Sequence, residues 1–128
     1  MNRLEVIARM KVRPGQLDGF KRQVAELVRV AREQDTGTLR WDWFLSRDGT
    51  ECEVHEAYAS SESMIEHAGH IKDARNKLFA EFAEGHEITV YGEPSPEFFE
   101  MAEGMQKAGI VKVTWFSFLQ GLPQPAGV

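Results

Sequence analysis

Residues 38–59, TLRWDWFLSRDGTECEVHEAYA, decide the fold because they predict a β-hairpin at the centre of the chain. Apolar and polar residues alternate on both sides of Asp48 and Gly49, and a period of two is typical of half-buried strands. An Asp-Gly pair between two such runs is a strong hairpin signal. The strands are predicted over residues 39–46 and 51–59. One face of the first strand carries Leu39, Trp41, Trp43 and Leu45, and one face of the second carries Cys52, Val54, Glu56 and Tyr58.

One strand and one helix are predicted before the hairpin. Residues 4–12 alternate between apolar and charged side chains, which indicates a strand with one buried face. Pro14 and Gly15 end that strand, and an apolar stripe at three- and four-residue steps predicts a helix that runs to about Gln34. Gly37 is the candidate for a left-handed cap after this helix.

A second helix and a further strand are predicted after the hairpin. Ser60 or Ser61 can cap a helix that breaks near Gly69, resumes, and ends at Gly85. Residues 87–91 then alternate as a strand. The order β-α-β-β-α-β is that of a ferredoxin-like α+β fold with an antiparallel sheet.

Residues 1–93 therefore form the predicted ferredoxin-like domain, and residues 94–128 extend the same domain. The sequence of the extension predicts a short helix over residues 96–105, a strand over residues 111–119 and a loose tail from Pro123. The last strand is apolar on most of both faces, so two placements are open. It pairs with the sheet edge of a second copy, or it extends its own sheet.

The predicted sheet has one face without helices. Two helices cover only one side of four strands, so the other side must meet water or another protein. Ile7, Phe44, Phe116 and Phe118 make that side more apolar than a solvated face requires. Burying one large aromatic ring contributes roughly 2–3 kcal/mol. The sequence therefore predicts a homodimer.

Composition excludes several classes of function. The chain has 128 residues and a net charge of −5, and its basic residues are scattered among acids, so no nucleic-acid partner is expected. Cys52 is the only cysteine, and no apolar run approaches the roughly 20 residues that span a bilayer. A cytoplasmic protein without a membrane partner is expected. The usual glycine-rich motifs for nucleotides and phosphates are absent.

Two titratable residues are predicted to carry the chemistry. His67 lies on the apolar stripe of its helix between Met64 and Ile71, where burial would shift its pKa. Glu56 shares a strand face with Tyr58, where a carboxylate needs a partner such as an arginine, His67 or a backbone donor. The alternative is that His67 is a core histidine bonded to a backbone carbonyl and that Glu56 is purely structural.

Four aromatic residues are predicted to bind a substrate. Trp41, Trp43, Tyr58 and Trp115 could line a flat pocket, although aromatics at strand spacing also form ordinary core. No metal site is predicted. His67 and His70 with Glu66 nearby lack a third convincing ligand.

The constellation in residues 3–93 resembles the antibiotic biosynthesis monooxygenase domain family. Gly37, Leu39 and Trp41 match its Gly-x-Leu-x-aromatic stretch, Glu56 and Tyr58 match its Glu-x-aromatic strand end, and His67 matches a helix histidine about eleven residues later. The resemblance implies a dimeric α+β barrel with a pocket between sheet and helices. Its quinol monooxygenases use oxygen without metal or flavin, so no cofactor is expected.

The resemblance leaves more than one function open. The first hypothesis is a cofactor-independent monooxygenase that oxidises a small aromatic or quinol-like molecule, with His67 as base and Glu56 steering it. The second is a dimer that binds a small molecule without catalysis, and haem degradation is a lesser option because the asparagine expected early in the first strand is missing. The enzyme hypothesis expects His67 to face a cavity and to make a polar contact there.

Overall fold

A computed structural model of the chain describes residues 3–123, and the expected tail from residue 124 onward lies outside the described residues. In this part of the chain one five-stranded sheet carries four helices on one face. In chain order the elements are β1 Leu4–Val12, α1 Leu17–Gln34, β2 Thr38–Leu45, β3 Glu51–Tyr58, α2 Ser61–His70, α3 Lys72–Glu81, β4 Ala83–Tyr91, α4 Pro96–Lys107 and β5 Lys112–Phe116.

The sheet has the strand order β2-β3-β1-β4-β5. The first four strands pair antiparallel, so the ferredoxin-like prediction is confirmed. β5 pairs parallel to β4, with Trp115 opposite Val90, and α4 makes the crossover that a parallel pair requires. Of the two placements for the last strand, the structure shows that it extends its own sheet.

Helices cover the face on which β1 places Leu4, Val6, Ala8, Met10 and Val12. Two clusters of buried side chains fill the space between the layers. One lies mainly under α1 and α3, and the other lies under α2 and α4. Phe98 and Ala102 of α4 are buried in the second cluster, so the C-terminal extension packs against the same sheet as the rest of the chain.

Two strand boundaries differ from the predictions. The helix after the hairpin breaks at Ile71, close to the expected break near Gly69, which gives α2 and α3. β4 begins at Ala83 rather than at residue 87. The pairing of β4 with β1 shifts register near Gly85, which adopts a positive φ of 70°, and this bulge lets the pairing continue to Ala83. β5 ends at Phe116, and Phe118 lies beyond it with 77% of its surface exposed.

The loop after α1 corrects the prediction for Gly37. α1 is capped by Asp35 in an extended conformation, and Gly37 is not among the glycines with positive φ. A Cβ at Gly37 would lie 2.0 Å from Oγ of Ser63, so the glycine is needed because α2 approaches this loop closely. That close approach brings Asp35 beside α2.

The opposite face of the sheet carries no helix in the described residues. β1 contributes Glu5, Arg9 and Lys11 to it, all exposed, with Ile7 half-buried among them. Phe44 on β2 and Phe116 on β5 are exposed aromatics at its two edges. This open face is charged along its middle and apolar near its edges.

Candidate active site

A cavity of about 80 Å³ lies between the sheet and the helices. Trp41, Trp43 and Glu56 form part of its wall from the sheet, and His67 and Arg75 form part of it from α2 and α3. The C-terminal extension adds a third wall, which includes Met101, Met105 and Val111. Each part of the chain described above therefore contributes to one enclosed space.

His67 is held in this wall by a carboxylate. Ser60 caps α2 by accepting from the backbone N–H of Ser63, and His67 follows one turn later with 1% of its surface exposed. Its Nδ1 lies 2.6 Å from Oδ2 of Asp35, whose side chain is 5% exposed. The histidine thus has the polar contact and the cavity that the enzyme hypothesis expected, and its partner is not a backbone carbonyl.

The environment of Asp35 decides where the proton on His67 sits. Burial alone would raise the pKa of Asp35, but hydrogen bonds from His70, His67 and Thr38 outweigh it and hold that pKa below its ordinary value. An ionised carboxylate only accepts hydrogen bonds, so Nδ1 of His67 must carry the proton. No described residue bonds Nε2, which leaves its lone pair free.

His67 is neutral at pH 7. Burial lowers the pKa of its imidazole below 6.5, and the hydrogen bond from Nδ1 to Asp35 only partly opposes that effect. A neutral ring with a fixed Nδ1 proton and a free Nε2 is the form in which histidine acts as a general base. The Asp35–His67 pair therefore has the arrangement that orients a base in hydrolytic triads.

Glu56 has a different partner from the one that the steering hypothesis required. The hydroxyl of Tyr58 donates to Oε1 of Glu56 at 2.5 Å, so Asp35 rather than Glu56 holds His67. Burial raises the pKa of Glu56 to about 7, although the bond from Tyr58 opposes the rise. Glu56 lines the cavity as a buried group that can hold or release a proton near neutral pH.

Of the four aromatic residues predicted to bind a substrate, two line the cavity and two do not. Trp41 and Trp43 line the cavity, and the Trp41 ring meets the His67 ring edge-on with centroids 4.5 Å apart. Within the described chain, Tyr58 and Trp115 are not part of the cavity wall. Tyr58 lies behind Glu56 and beside His67, and Trp115 packs against Phe98 and Phe99 under α4.

Three side chains that could bind a metal ion lie close together beside the Asp35–His67 pair. Asp35, Glu66 and His70 could place their ligand atoms within 4.8 Å of one another. Asp35 already accepts hydrogen bonds from both histidines, and Glu66 accepts from the backbone N–H and hydroxyl of Thr36. Hydrogen bonds within the chain therefore account for this cluster.

The family model of antibiotic biosynthesis monooxygenases matches residues 3–87. The chain belongs to this family. The fold of the family is typically dimeric. No curated protein sequence matches the chain.

Solved structures share the fold of this antibiotic biosynthesis monooxygenase family member. MupZ from Pseudomonas fluorescens is 16% identical with a TM-score of 0.75, covering 100% of this chain and 99% of MupZ. Rv0793 from Mycobacterium tuberculosis is 25% identical with a TM-score of 0.62, and PA3566 from Pseudomonas aeruginosa is 21% identical with a TM-score of 0.61. The match with Rv0793 covers 73% of this chain and 96% of Rv0793. The match with PA3566 covers 70% of this chain and 92% of PA3566. MupZ therefore matches the C-terminal extension as well.

None of the described helices is both long and apolar enough to pass through a membrane.

Three residues of the site escaped the sequence predictions. Asp35 follows a helix and precedes Thr36 and Gly37, so it had the pattern of a turn residue. Arg75 lies on α3, which has a weakly apolar pattern, and His86 lies on a strand among polar residues. Only the fold shows where they lie. The side chain of Asp35 is buried beside His67, and Arg75 and His86 are part of the cavity wall. No local sequence signal distinguishes them.

Proposed function

We propose that this chain is a monooxygenase that uses molecular oxygen to oxidise a small hydroxyaromatic molecule in the internal cavity. The observation that carries the proposal is the buried Asp35–His67 pair, which presents an unbonded Nε2 in a cavity with tryptophan walls. Family membership supports the reaction class, since the matching family is that of antibiotic biosynthesis monooxygenases.

The first step is removal of the hydroxyl proton from the substrate by Nε2 of His67. Asp35 stabilises the imidazolium that forms, because its carboxylate already accepts the proton on Nδ1. A phenolate is electron-rich enough to give one electron to oxygen, and the resulting radicals combine to form a carbon–oxygen bond. The imidazolium of His67 then returns its proton to the peroxide anion, so the product of this step is a hydroperoxide on the ring.

The second step breaks the oxygen–oxygen bond. The ring carbon that bears the hydroperoxide loses its hydrogen, the distal oxygen leaves as water, and a carbonyl remains. The overall balance is a phenol plus O₂ giving a quinone plus water, so the substrate loses four electrons and O₂ gains four. Glu56, with a pKa of about 7, can supply the proton to the leaving oxygen and recover one afterwards.

The walls of the cavity suit one aromatic ring. Trp41 and Trp43 offer flat apolar surfaces to such a ring. A cavity of roughly 150 Å³ holds a benzene ring, so one of about 80 Å³ must nearly double in volume to admit the substrate. Met64, Met101 and Met105 line it and are flexible enough to move aside.

The same volume disfavours haem as a substrate. A porphyrin contains four pyrrole rings, whereas the cavity is smaller than the space that one benzene ring occupies. Haem degradation would require most of the wall to move.

We also propose that two copies associate through the open face of the sheet. Phe44 and Phe116 leave about half of their surface exposed, and the typical dimer of the family supports the same arrangement. Light scattering during gel filtration tests it, with an expected mass of twice the 14.5 kDa chain. A single-chain mass at micromolar concentration would contradict the dimer.

Oxygen uptake tests the activity. The wild-type protein is supplied with single-ring phenols and quinols, and His67→Gln is compared with the control His55→Gln, since His55 lies on the open face beside Phe44. We expect His67→Gln to lose roughly 10²–10⁴ in rate and the control to keep it. Full uptake by His67→Gln would refute the mechanism. Binding without any uptake by the wild-type protein would instead support the non-catalytic hypothesis.

A further inference from the structure

The cavity contains a second polar group of residues that the proposed chemistry does not use. Arg75, His86 and Trp43 all line it. Each has a buried side-chain nitrogen without a hydrogen-bond partner, namely Nε of Arg75, Nδ1 of His86 and Nε1 of Trp43. Buried polar atoms in native proteins are nearly always paired, and leaving one unpaired costs free energy. Three such atoms around one cavity indicate that a bound molecule supplies their partner.

The charge at this end of the cavity is not balanced by the protein. Among residues 3–123, no acidic side chain forms an ion pair with Arg75, and burial alone accounts for its lowered pKa. Glu56, the one carboxyl group in the described wall, is bonded to Tyr58. A partly buried arginine without a counter-ion is unfavourable, so its natural partner is an anionic group on the ligand.

The type of anion follows from the donors. Burial and the nearby charge of Arg75 lower the pKa of His86 to about 4, so His86 is neutral at pH 7 and Arg75 is the one cation in the described wall. A single positive charge matches a singly charged anion better than a phosphate. A guanidinium also matches the two coplanar oxygens of a carboxylate. The indole N–H of Trp43 and the neutral imidazole of His86 can donate to the same oxygens.

An outer groove adjoins this part of the cavity wall. A groove of about 540 Å³ on the outside shares Phe79, His86 and Val111 with the cavity wall. The rings of Phe79 and His86 stack between the two spaces with centroids 4.3 Å apart. The groove and the cavity therefore adjoin each other at Phe79 and His86.

We infer that the molecule bound in this cavity is a single-ring aromatic carboxylate, whose carboxylate is held by Arg75, Trp43 and His86 while its ring lies against the apolar wall of the cavity. The inference rests on the proposed function only where it places a hydroxyl at His67. The carboxylate subsite itself requires no turnover, and a ligand without an oxidisable hydroxyl can test it.

The test compares an acid with its neutral amide of the same shape. Benzoate and benzamide are titrated at pH 7.5 against the full chain by calorimetry and by quenching of tryptophan fluorescence. We expect benzoate to bind about ten- to hundredfold more tightly than benzamide. Arg75→Gln should bind the two equally, and the control Arg47→Gln, in the exposed hairpin turn, should keep the preference.

Stability measurements keep the test independent of misfolding. Removal of an unpaired buried charge should leave the melting temperature of unliganded Arg75→Gln equal to or above that of the wild type. Arg75→Lys serves as a second variant and should restore part of the preference for benzoate.

Two results would overturn the inference, and a third concerns the proposed function alone. Wild-type protein that binds benzoate no better than benzamide, or not at all, would refute the carboxylate subsite. An Arg75→Gln variant that keeps the preference would refute the role of Arg75. A clear preference for benzoate without oxygen uptake on any phenol would support the subsite and contradict the monooxygenase.

Discussion

The two polar ends of the cavity differ in how completely the protein satisfies them. At one end, both oxygens of Asp35 are bonded, to His67 and Thr38 on one side and to His70 on the other. At the other end, the side chains of Arg75 and His86 leave buried nitrogens unpaired. The first end is complete without a ligand, whereas the second is not.

This difference separates a preorganised base from a binding subsite. Hydrogen bonds hold the imidazole of His67 in one tautomer before any substrate arrives, which is what general-base catalysis requires. Unpaired donors lower the stability of the free protein and are satisfied when a ligand binds, a common compromise between stability and function. Removal of a polar group should therefore have opposite effects at the two ends.

The largest expected effect is that of Asp35→Asn on the reaction. The amide has one acceptor oxygen where the carboxylate has two, so it cannot accept from both His67 and His70. His67 is then free to place its proton on Nε2, which removes the base. We expect the rate of oxygen uptake to fall roughly 10²–10⁴-fold.

Asp42→Asn is the matched control for this variant, since Asp42 is exposed and bonded only to Arg40. Nitrogen NMR of the histidine rings gives a second measurement that needs no substrate. It should show the His67 proton on Nδ1 in the wild type and a changed tautomer in Asp35→Asn. An unchanged tautomer with an unchanged rate would remove Asp35 from the mechanism.

The next effect concerns Glu56, which lies between the two ends. Its pKa is about 7 in the folded chain, against an ordinary value of 4.5 that applies once the chain unfolds, so the folded state keeps its proton longer. Stability from the neutral form is therefore present at low pH and is lost as the pH rises from 4.5 through 7. Glu56→Gln stays neutral, and its amide oxygen can still accept from Tyr58.

Glu56→Gln should gain stability relative to the wild type across that pH range, by up to about 3 kcal/mol at pH 8. Urea unfolding at intervals between pH 4 and pH 8 measures the difference. The two proteins should have similar stability near pH 4. A difference that does not vary with pH would mean that folding does not shift the pKa of Glu56.

The sequence predicted the fold well because its signals are local. The alternation in residues 38–59, the Asp-Gly turn and the Ser60 cap each depend on neighbours within a few positions. β5 could not be placed in this way, because a strand that is apolar on both faces fits either of two partners. The extra length of β4 was missed because it depends on a register shift against β1, far away in the chain.

The site was only half predictable for the same reason. His67, Trp41 and Trp43 lie on apolar faces of regular elements, so periodicity identifies them as facing the core. Asp35 bonds a residue 32 positions away, and that contact depends on Gly37 admitting α2. Arg75 resembles a solvated helix residue, and its partial burial becomes visible only once the chain is folded.

The smallest expected effect at neutral pH is that of His86→Phe. A phenyl ring can keep the stacking on Phe79, and it removes the unpaired Nδ1, so we expect a change within about 1 kcal/mol at pH 7. The difference should grow in acid. Burial, followed by the charge of Arg75, lowers the pKa of His86 to about 4, so the unfolded chain takes up this proton first.

The part of the wild-type free energy of unfolding that depends on a neutral His86 is therefore lost as the pH falls from about 6.5 towards 4. The His86→Phe variant has no titratable group at this position and does not show this loss. Urea unfolding of both proteins at pH 7, 6, 5 and 4.5 should show curves that separate only on the acid side. Adding benzoate at pH 7 should stabilise the wild type more than His86→Phe, because only the histidine can donate to the carboxylate. Parallel curves with equal stabilisation by benzoate would show that His86 is an ordinary packing residue, and the contrast between the two ends would then rest on Arg75 and Trp43.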